Sequence, residues 1–415
     1  MEVAVIGGGV MGVCTAYFLA EAGHAVSVIE RHGNVAEQAS FGNAGIVAPA
    51  YATPWAMPGA PRKLFASLFK SNSPFMVKRR LDPTLWRWLS RWISESELQR
   101  FRTNRERMQR IAQYSRSVLR QVRDYERLDY EQTSGYLQLF RNERDLAQAQ
   151  ALLQLMIEQG AAHQVLDGAA ARAIEPGLSE HMPLAGAWHF GDDATGNCAL
   201  FTKQLKQAAQ ARGVDFQFGC KVLAIETHNR RVGLHIDRQL VHADAVVIAA
   251  GIDSAALLAP LGINVPLNAV KGYAATAPIK DFDHAPLSAV MDDANKVSIA
   301  RMGNRVRVAG LAEFGARDND LNESALRKLL QVGEDWFPNA ANYSGAQYWC
   351  GMRPMLPDGP PLLGASGVPN VYLNIGHGAT GWTMAAGSGK LVADLVSSRE
   401  PEIDTEGLTI ARFHH

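Results

Sequence analysis

Cysteine is scarce: four residues, Cys14, Cys198, Cys220 and Cys350, scattered along 415 without a C-x-x-C or zinc-like spacing. That pattern excludes a disulfide-stapled scaffold and a structural metal, and it suits a reducing compartment. Long hydrophobic runs are missing, so no segment approaches the ~20 apolar residues of a membrane-spanning helix. Neither sign of charge dominates, because 41 basic residues balance 41 acidic ones. Global electrostatics therefore give no case for a nucleic acid or a strongly acidic partner. Repeats and low-complexity tracts are also absent, which leaves a globular chain long enough for about two cores.

What is present begins at once. Val3-Ala4-Val5-Ile6 is an apolar run that reads as a strand buried on both faces. Gly7-Gly8-Gly9-Val10-Met11-Gly12 follows and satisfies G-x-G-x-x-G. Cys14 to Ala22 read as a helix ended by Gly23, and Ala25 to Ile29 as a second strand ending in Glu30. Gly7 permits a tight turn, Gly9 lets the backbone approach a pyrophosphate, and Gly12 lets helix and strand pack closely. The helix N-terminus offers N–H groups and partial positive charge to phosphates. Glu30 is placed to accept hydrogen bonds from a ribose, which favours FAD or NAD over a 2′-phosphorylated cofactor. Because this unit starts so near Met1, no signal peptide is expected, and the protein is read as cytoplasmic or lying against the membrane from that side.

Further on, Ala39 to Pro49 is a small-residue loop of the kind that lies flat on a planar cofactor. Pro61 to Ile93 carries Arg62, Lys63, Lys70, Lys78, Arg79, Arg80, Arg87 and Arg91 against the single acid Asp82. Leu64, Phe65, Leu68 and Phe69 fall on one helical face, and Leu85, Trp86, Trp88, Leu89, Trp92 and Ile93 form an aromatic-rich segment. Such a composition suits an interfacial helix on anionic lipid, and equally a helix packed on the protein with solvated charges.

A long charged helix is expected from Glu97 to about Arg127, with Leu98, Phe101, Met108, Ile111, Val118, Leu119 and Val122 inward. Helices follow at Glu143–Gln159, Ala169–Ile174 and Leu200–Arg212. Strands are expected at 136–140, 215–218, 221–227, 233–236 and 244–249, the last running into Ala249-Ala250-Gly251. Val297–Arg301 and Arg305–Val308 flank Gly303-Asn304, a hairpin signal. A strand at Val371–Ile375 leads into Gly376-His377-Gly378-Ala379-Thr380-Gly381-Trp382-Thr383 and a final helix of small residues, Met384 to Leu395.

The strand–helix–strand unit, its companion strands near 244–251 and the terminal strand–helix pair imply a discontinuous nucleotide domain. The expected fold is α/β, a discontinuous Rossmann-like FAD-binding domain (1–60, 155–265 and 351–415) with an α+β substrate domain on a mixed sheet. The latter comprises 61–154 and 266–350, including the helical, basic, Trp-rich insertion. Discontinuity favours FAD over NAD.

At these residues the chain resembles the D-amino acid dehydrogenases of the small-subunit type, within the D-amino acid oxidase/glycine oxidase group of FAD enzymes. The resemblance runs the whole length: GGGVMG with Glu30, SFGNAGIVAP, YATPWAMPG, Val270 to Tyr273, GMRPMLPDGPPLLG (Gly351 to Gly364), GHGATGWTMAAGSG (Gly376 to Gly389) and Pro401 to Asp404. It implies that Gly7, Gly9, Val10, Met11 and Gly12 hold the pyrophosphate, and that Glu30 and Arg31 lie at the ribose. Ser40, Asn43, Ala44 and Gly45 would run along the flavin and its phosphates, Val222 would meet the adenine, and Ala250 and Gly251 would border the nucleotide. Gly376, Gly378, Ala379, Thr380, Gly381, Trp382 and Thr383 would meet the isoalloxazine ring.

The implied reaction is removal of the α-hydrogen of a D-amino or cyclic imino acid as hydride, giving an imine and then a 2-oxo acid. It needs a fixed carboxylate and an electron sink, and no metal or nucleophile. A planar fork of donors suits the carboxylate, and Arg353 in Gly-Met-Arg-Pro matches the family's carboxylate-binding arginine. Tyr273 and Tyr51 are further candidates, each either a hydroxyl donor to substrate or a core tyrosine. His377 either contacts substrate or influences the reduced flavin's charge, or else satisfies loop backbone. The implied partners are the small-molecule substrate and a quinone or other respiratory acceptor, with peripheral contact to the inner membrane's cytoplasmic face through 61–93 and no nucleic acid. An oxidase of the same group, making peroxide, is the nearest rival.

Overall fold

Val3 to Ile6 are buried on both sides because their strand, Glu2–Ile6, lies mid-sheet. In the computed structural model, which describes residues 1–67, 73–78, 81–158, 160–228, 231–237 and 239–413, that strand pairs in parallel with Ala25–Glu30 and Ala245–Ile248. Val371–Ile375 and Asp215–Phe218 extend the sheet on either side, and Leu362–Ala365 closes one edge antiparallel. Strands read separately along the sequence thus converge in one six-stranded sheet. A three-stranded antiparallel sheet, Val222–His228, Arg231–Ile236 and Gln239–Ala243, is inserted between Asp215–Phe218 and Ala245–Ile248. The last of these strands was not expected from the sequence.

The second large sheet has ten strands and mixed direction. Along its main path run Gln347–Met355, Asn268–Pro278, Arg305–Phe314, Val297–Met302, Ala289–Asp292, Thr133–Phe140, Gly186–Thr195 and Ile46–Val47. Phe75–Val77 and Gln164–Leu166 pair beside it. The hairpin at Gly303-Asn304 forms with Gly303 at φ +58°. Four strands cross the expected boundaries, Ile46–Val47 and Gln164–Leu166 among them. Gly186–Thr195, inside the 155–265 span expected to be nucleotide-binding, belongs to this sheet, as does Gln347–Met355, which straddles 351. The first contains Gly-Asp-Asp, poor strand formers alone, and is held by its register with 133–140. Ile46–Val47, within the expected loop, pairs with Ala194 and Thr195.

The helices, in chain order, are α1 (Val10–Glu21), α2 (Ala60–Ser67), α3 (Pro83–Glu95), α4 (Leu98–Glu126), α5 (Glu143–Glu158), α6 (Gly168–Ile174), α7 (Cys198–Ala211), α8 (Ser254–Leu258), α9 (Glu323–Trp336) and α10 (Gly381–Val396). Asp82 caps α3 by accepting the N–H groups of Thr84 and Leu85, with Pro83 in the first turn. Leu85, Trp88, Leu89 and Trp92, at helical spacing, bury against Val270, Ala312 and Phe314 of the second sheet. Trp86 and Ile93 of the same segment stay exposed, as does Phe65. Leu68, Phe69, Lys70, Arg79 and Arg80 lie outside the described residues. In α4 the expected inward residues are buried except Leu98, which is exposed at the first turn, ahead of the surface the helix packs on. One apolar cluster joins α1, α4, α7 and α10 over the parallel sheet, and another lies between the mixed sheet and α9.

Candidate active site

A cavity of about 830 Å³ runs from the C-terminal ends of the parallel strands to the face of the mixed sheet. Its first end is shaped by the glycine turn. Gly7 has φ +110°, and a β-carbon there would lie 2.6 Å from the Ala249 carbonyl oxygen. At Gly12 one would lie 1.8 Å from the carbonyl of Gly7, so only glycine lets α1 start against the strand. Gly9 caps α1 without a side-chain cap, leaving N–H groups directed at the cavity, and Ser40 Oγ accepts the N–H of Val10 at 3.1 Å. Glu30 accepts the N–H groups of Gly8 (2.6 Å) and His32 (2.8 Å), which fixes its carboxylate at the cavity wall. Arg31 closes the rim in an ion pair with Asp253 at 2.9 Å. Val222, Ala250 and Gly251 line this end too.

In the middle, the 40–45 loop and the segment after Ile375 face one another. Asn43 accepts the N–H of Gly45 at 2.8 Å and so shapes its own turn, with Ala44 on the wall. Gly45 (φ +82°) and Gly12 stand just behind the cavity lining and do not border it. Opposite are Gly376, Gly378, Ala379, Thr380, Gly381 and Thr383, leading into the N-terminus of α10. Trp382 borders the cavity, but its indole packs against Tyr130 and Phe201 in the core. Together these surfaces form a slot with N–H groups at two helix starts, which suits a pyrophosphate at one and a developing anion at the other. The residues present therefore fit a dinucleotide laid across the C-terminal strand ends.

The far end is chemically different. Arg353 extends over Gly272, where a β-carbon would fall 2.3 Å from the guanidinium. Its N–H groups donate to the carbonyls of Leu311 (2.8 Å), Gly310 (3.3 Å) and Lys271 (3.5 Å), and Trp55 covers it at 5.7 Å. No acid pairs with it among the described residues, and burial pulls it down to about 10. A lined-in guanidinium with only carbonyl hydrogen-bond partners could take up a carboxylate by its chemistry.

The other expected residues divide. Tyr51 lines the cavity, its ring 5.4 Å from Tyr136, and burial raises its phenol above the usual range. Tyr273 borders the cavity as well, yet it is buried in the core cluster against α9 and its hydroxyl donates to Glu313. Burial, then that bond, holds the phenol protonated far above its normal range. His377 borders the cavity but is buried and shares a 3.0 Å hydrogen bond with Ser388 Oγ. Burial lowers it to about 3, so it is neutral and serves to fix the loop on α10.

Sequence reasoning passed over several contributors. Arg307, buried, donates to the carbonyls of Phe41 and Asn43 (both 2.9 Å) and to Thr276 (3.0 Å), clamping the slot's loop to the mixed sheet. Lys296, on the cavity wall, is bound to Asp293 at 2.5 Å. Gly42 lies so flat on Trp349 that a β-carbon would sit 1.8 Å from the ring. Gln109 of α4 donates to the carbonyls of Pro49 (2.6 Å) and Ala52 (2.8 Å), and Arg105 to that of Ala50 (3.3 Å), anchoring the turn that carries Tyr51. Of these, Gly42 lies in the SFGNAGIVAP stretch, the signal that could have found it.

A glycine-turn end shaped for a nucleotide, joined to an end that carries a buried guanidinium on a mixed sheet, fits a flavoprotein oxidoreductase. The chain belongs to the FAD dependent oxidoreductase family (DAO), whose profile matches residues 2–395, and FAD is its cofactor. It is 41% identical over 416 residues to a D-amino acid dehydrogenase of Rhizorhabdus wittichii, covering all of both chains. It is 39% identical to a D-amino acid dehydrogenase of Vibrio cholerae, covering 100% of this chain and 99% of the other. Among solved structures, glycine oxidase from Geobacillus kaustophilus matches with a TM-score of 0.79 at 23% identity, over 99% of this chain and 98% of that one. L-proline dehydrogenase from P. horikoshii matches at 0.76 and 17% identity, over 100% and 97%. These two likenesses carry the fold alone.

Proposed function

We propose that this protein is an FAD-dependent dehydrogenase of D-amino or cyclic imino acids, of the D-alanine, D-proline or cis-4-hydroxy-D-proline type, delivering electrons to a quinone-type acceptor. The observation that carries the reading is Arg353: a guanidinium on the cavity wall whose partners are three backbone carbonyls and an indole face. Full-length relatives named D-amino acid dehydrogenase support the choice of substrate. In this reading FAD is held by Gly7, Gly9, Val10, Met11, Glu30 and Arg31, by Ser40, Asn43 and Ala44, by Val222, Ala250 and Gly251, and by the 376–383 segment, while Gly12 and Gly45 shape the turns behind them. The chemistry supplied by the bound cofactor is that of a two-electron sink, which takes the substrate's α-hydrogen as hydride and leaves an imine for water to convert to the 2-oxo acid.

The chain's own residues do the rest. Arg353 pins the carboxylate bidentately, so the α-carbon is presented in one orientation. Trp55 shields that pair from water, which strengthens it. The N-terminus of α10 faces negative charge growing at the slot's centre. Tyr51 borders the cavity, its hydroxyl makes no hydrogen bond to another described residue, and it is placed to donate to the substrate. His377, neutral and tied to Ser388, keeps the loop's backbone in place.

The test is anaerobic bleaching of the yellow protein by a panel of D-amino and imino acids with the L-enantiomers beside them. Bleaching by D-substrates is expected, with KM raised at least a hundredfold in Arg353→Leu while the flavin stays bound. Bleaching by L-enantiomers alone, or an unchanged KM, would overturn the reading. The resemblance of the sequence motifs to the D-amino acid oxidase/glycine oxidase group leaves one second reading, an oxidase of the same group. Stoichiometric peroxide in air, with no quinone reduction, would select it.

A further inference from the structure

We propose that Lys296 selects the substrate's side chain. Across the mixed sheet from Arg353 it offers, together with Tyr51, hydrogen-bond donors to the tip of that side chain. The preferred D-amino acid therefore ends in an acceptor such as an amide, a carboxylate or a hydroxyl. That substrate class rests on the functional reading above, whereas the lysine's place on the cavity wall is independent of it.

A lysine is not what the backbone asks for at this position. Lys296 is the last residue of the turn that joins the strands Ala289–Asp292 and Val297–Met302, and its φ is +52°. Glycine or asparagine suits that left-handed conformation, and Gly303 supplies it in the next hairpin at φ +58°. The ion pair with Asp293 at 2.5 Å does not explain the strain, because Gln138 already donates to the same carboxylate oxygen at 2.8 Å. Nor does that pair use up the ammonium. It has three donors, and among the described residues only Asp293 accepts from it. The side chain is 34% exposed and lines the cavity. Burial works against its charge, yet Tyr51 and Asp293 hold it above the ordinary lysine range, so it is an ammonium at neutral pH.

The separation of the two cations suits an amino acid. Arg353 donates to the carbonyl of Gly310, Gly310 pairs with Val297, and Lys296 immediately precedes Val297. The lysine therefore begins one strand spacing, about 5 Å, beyond the reach of the guanidinium. Gly310, Ala309 and Ser298 line the cavity here, and being small they leave the sheet's face open for a side chain. Tyr51 borders the same arm, close enough to Lys296 for each to act on the other's charge, and its hydroxyl has no partner among the described residues. An acceptor-tipped side chain satisfies these donors, whereas an apolar one of the same shape would face them unpaired.

The test compares D-glutamine with D-homoleucine, its apolar isostere, on the holoenzyme with a water-soluble dye as acceptor. The parent should favour D-glutamine in kcat/KM by about tenfold, the worth of one hydrogen bond to a charged group. Lys296→Met should erase that preference through KM and leave D-homoleucine nearly unchanged, while Lys296→Arg should keep it. Lys296→Gly relaxes the left-handed turn, so it should fold even if the methionine variant does not, and it should erase the preference too. Perturbation of the flavin absorbance gives a second readout that needs no turnover. Glutaramate should bind the parent more tightly than its apolar isostere, and the two should bind Lys296→Met alike. No preference in the parent, a preference that survives in Lys296→Met, or an equal loss on both substrates would overturn the role of Lys296. If no D-amino acid is turned over, the functional reading falls instead, and the titration alone decides the lysine.

Discussion

Asp193 shows how much of the site depends on single side chains remote from it. Its carboxyl is buried, accepts the N–H of Ala50, and keeps Oδ2 without a partner among the described residues. Burial, opposed only in part by that hydrogen bond and by Arg116 and Arg120, pushes it up to about 7. An unfolded aspartate titrates near 3.9, so the folded chain holds this proton more tightly. The stability linked to it is complete below the unfolded pKa and drains away as pH rises to about 7, at most on the order of 3–4 kcal/mol. Asp193→Asn keeps an oxygen for Ala50 and removes the titration. Its Tm should exceed the parent's near pH 8 and match it near pH 4; equal differences at both would show that Asp193 is already ionised without cost. At this scale the sequence was legible where chemistry is local. Arg353 stood out from Gly-Met-Arg-Pro, and Glu30 from its place at a strand end. Tyr273 was undecidable because its fate lies with Glu313, which only the pairing of two strands brings near. Asp193, in a Gly-Asp-Asp that reads as surface, gave no signal at all.

Among the elements, α10 is the one whose composition and position conflict most openly. Glycine weakens a helix by about 1 kcal/mol relative to alanine, yet Gly387 and Gly389 sit in its interior. The reason is contact on both sides. A β-carbon on Gly387 would fall 2.7 Å from Ser115 Cα of α4, and one on Gly389 would fall 2.6 Å from Cys14 Cβ of α1. Backbone cannot give way as a flexible side-chain tip can. Gly387→Ala should therefore lose stability by about 1–3 kcal/mol, overpacking outweighing the gain in helix propensity. Urea unfolding of the holoenzyme reads it, and a stabilised variant would mean that α4 and α10 are looser than their spacing says. Periodicity located this helix but began it at Met384, three residues late, because Gly381 at its start is a poor helix former that packing overrides. The same limit hid Gln239–Ala243 and Gly186–Thr195, strands made by their partners more than by their own residues.

For the whole molecule, the discontinuity of the chain was readable, since strands at 3–6, 245–248 and 371–375 each announced themselves and had to meet somewhere. The borders were not, because Gln347–Met355 serves the mixed sheet while the chain immediately beyond it returns to the parallel one. This crossing has a thermodynamic consequence. The cavity is walled by residues of both sheets, from Gly7 and Glu30 to Gly272 and Arg353, so a ligand filling it joins surfaces that otherwise meet only around its edges. Removing FAD should therefore lower the transition temperature, and restoring it should raise the transition with the logarithm of its concentration, by about 2.7 kcal/mol at a hundredfold excess over Kd. Stripping the cofactor at low pH with high salt and re-melting with and without added FAD measures this directly. AMP should recover only part of the shift, because it reaches the Glu30 end and leaves the Arg353 end unspanned. A full recovery by AMP would mean that the nucleotide end alone sets the stability and that the two sheets are coupled by protein contacts rather than through the cavity.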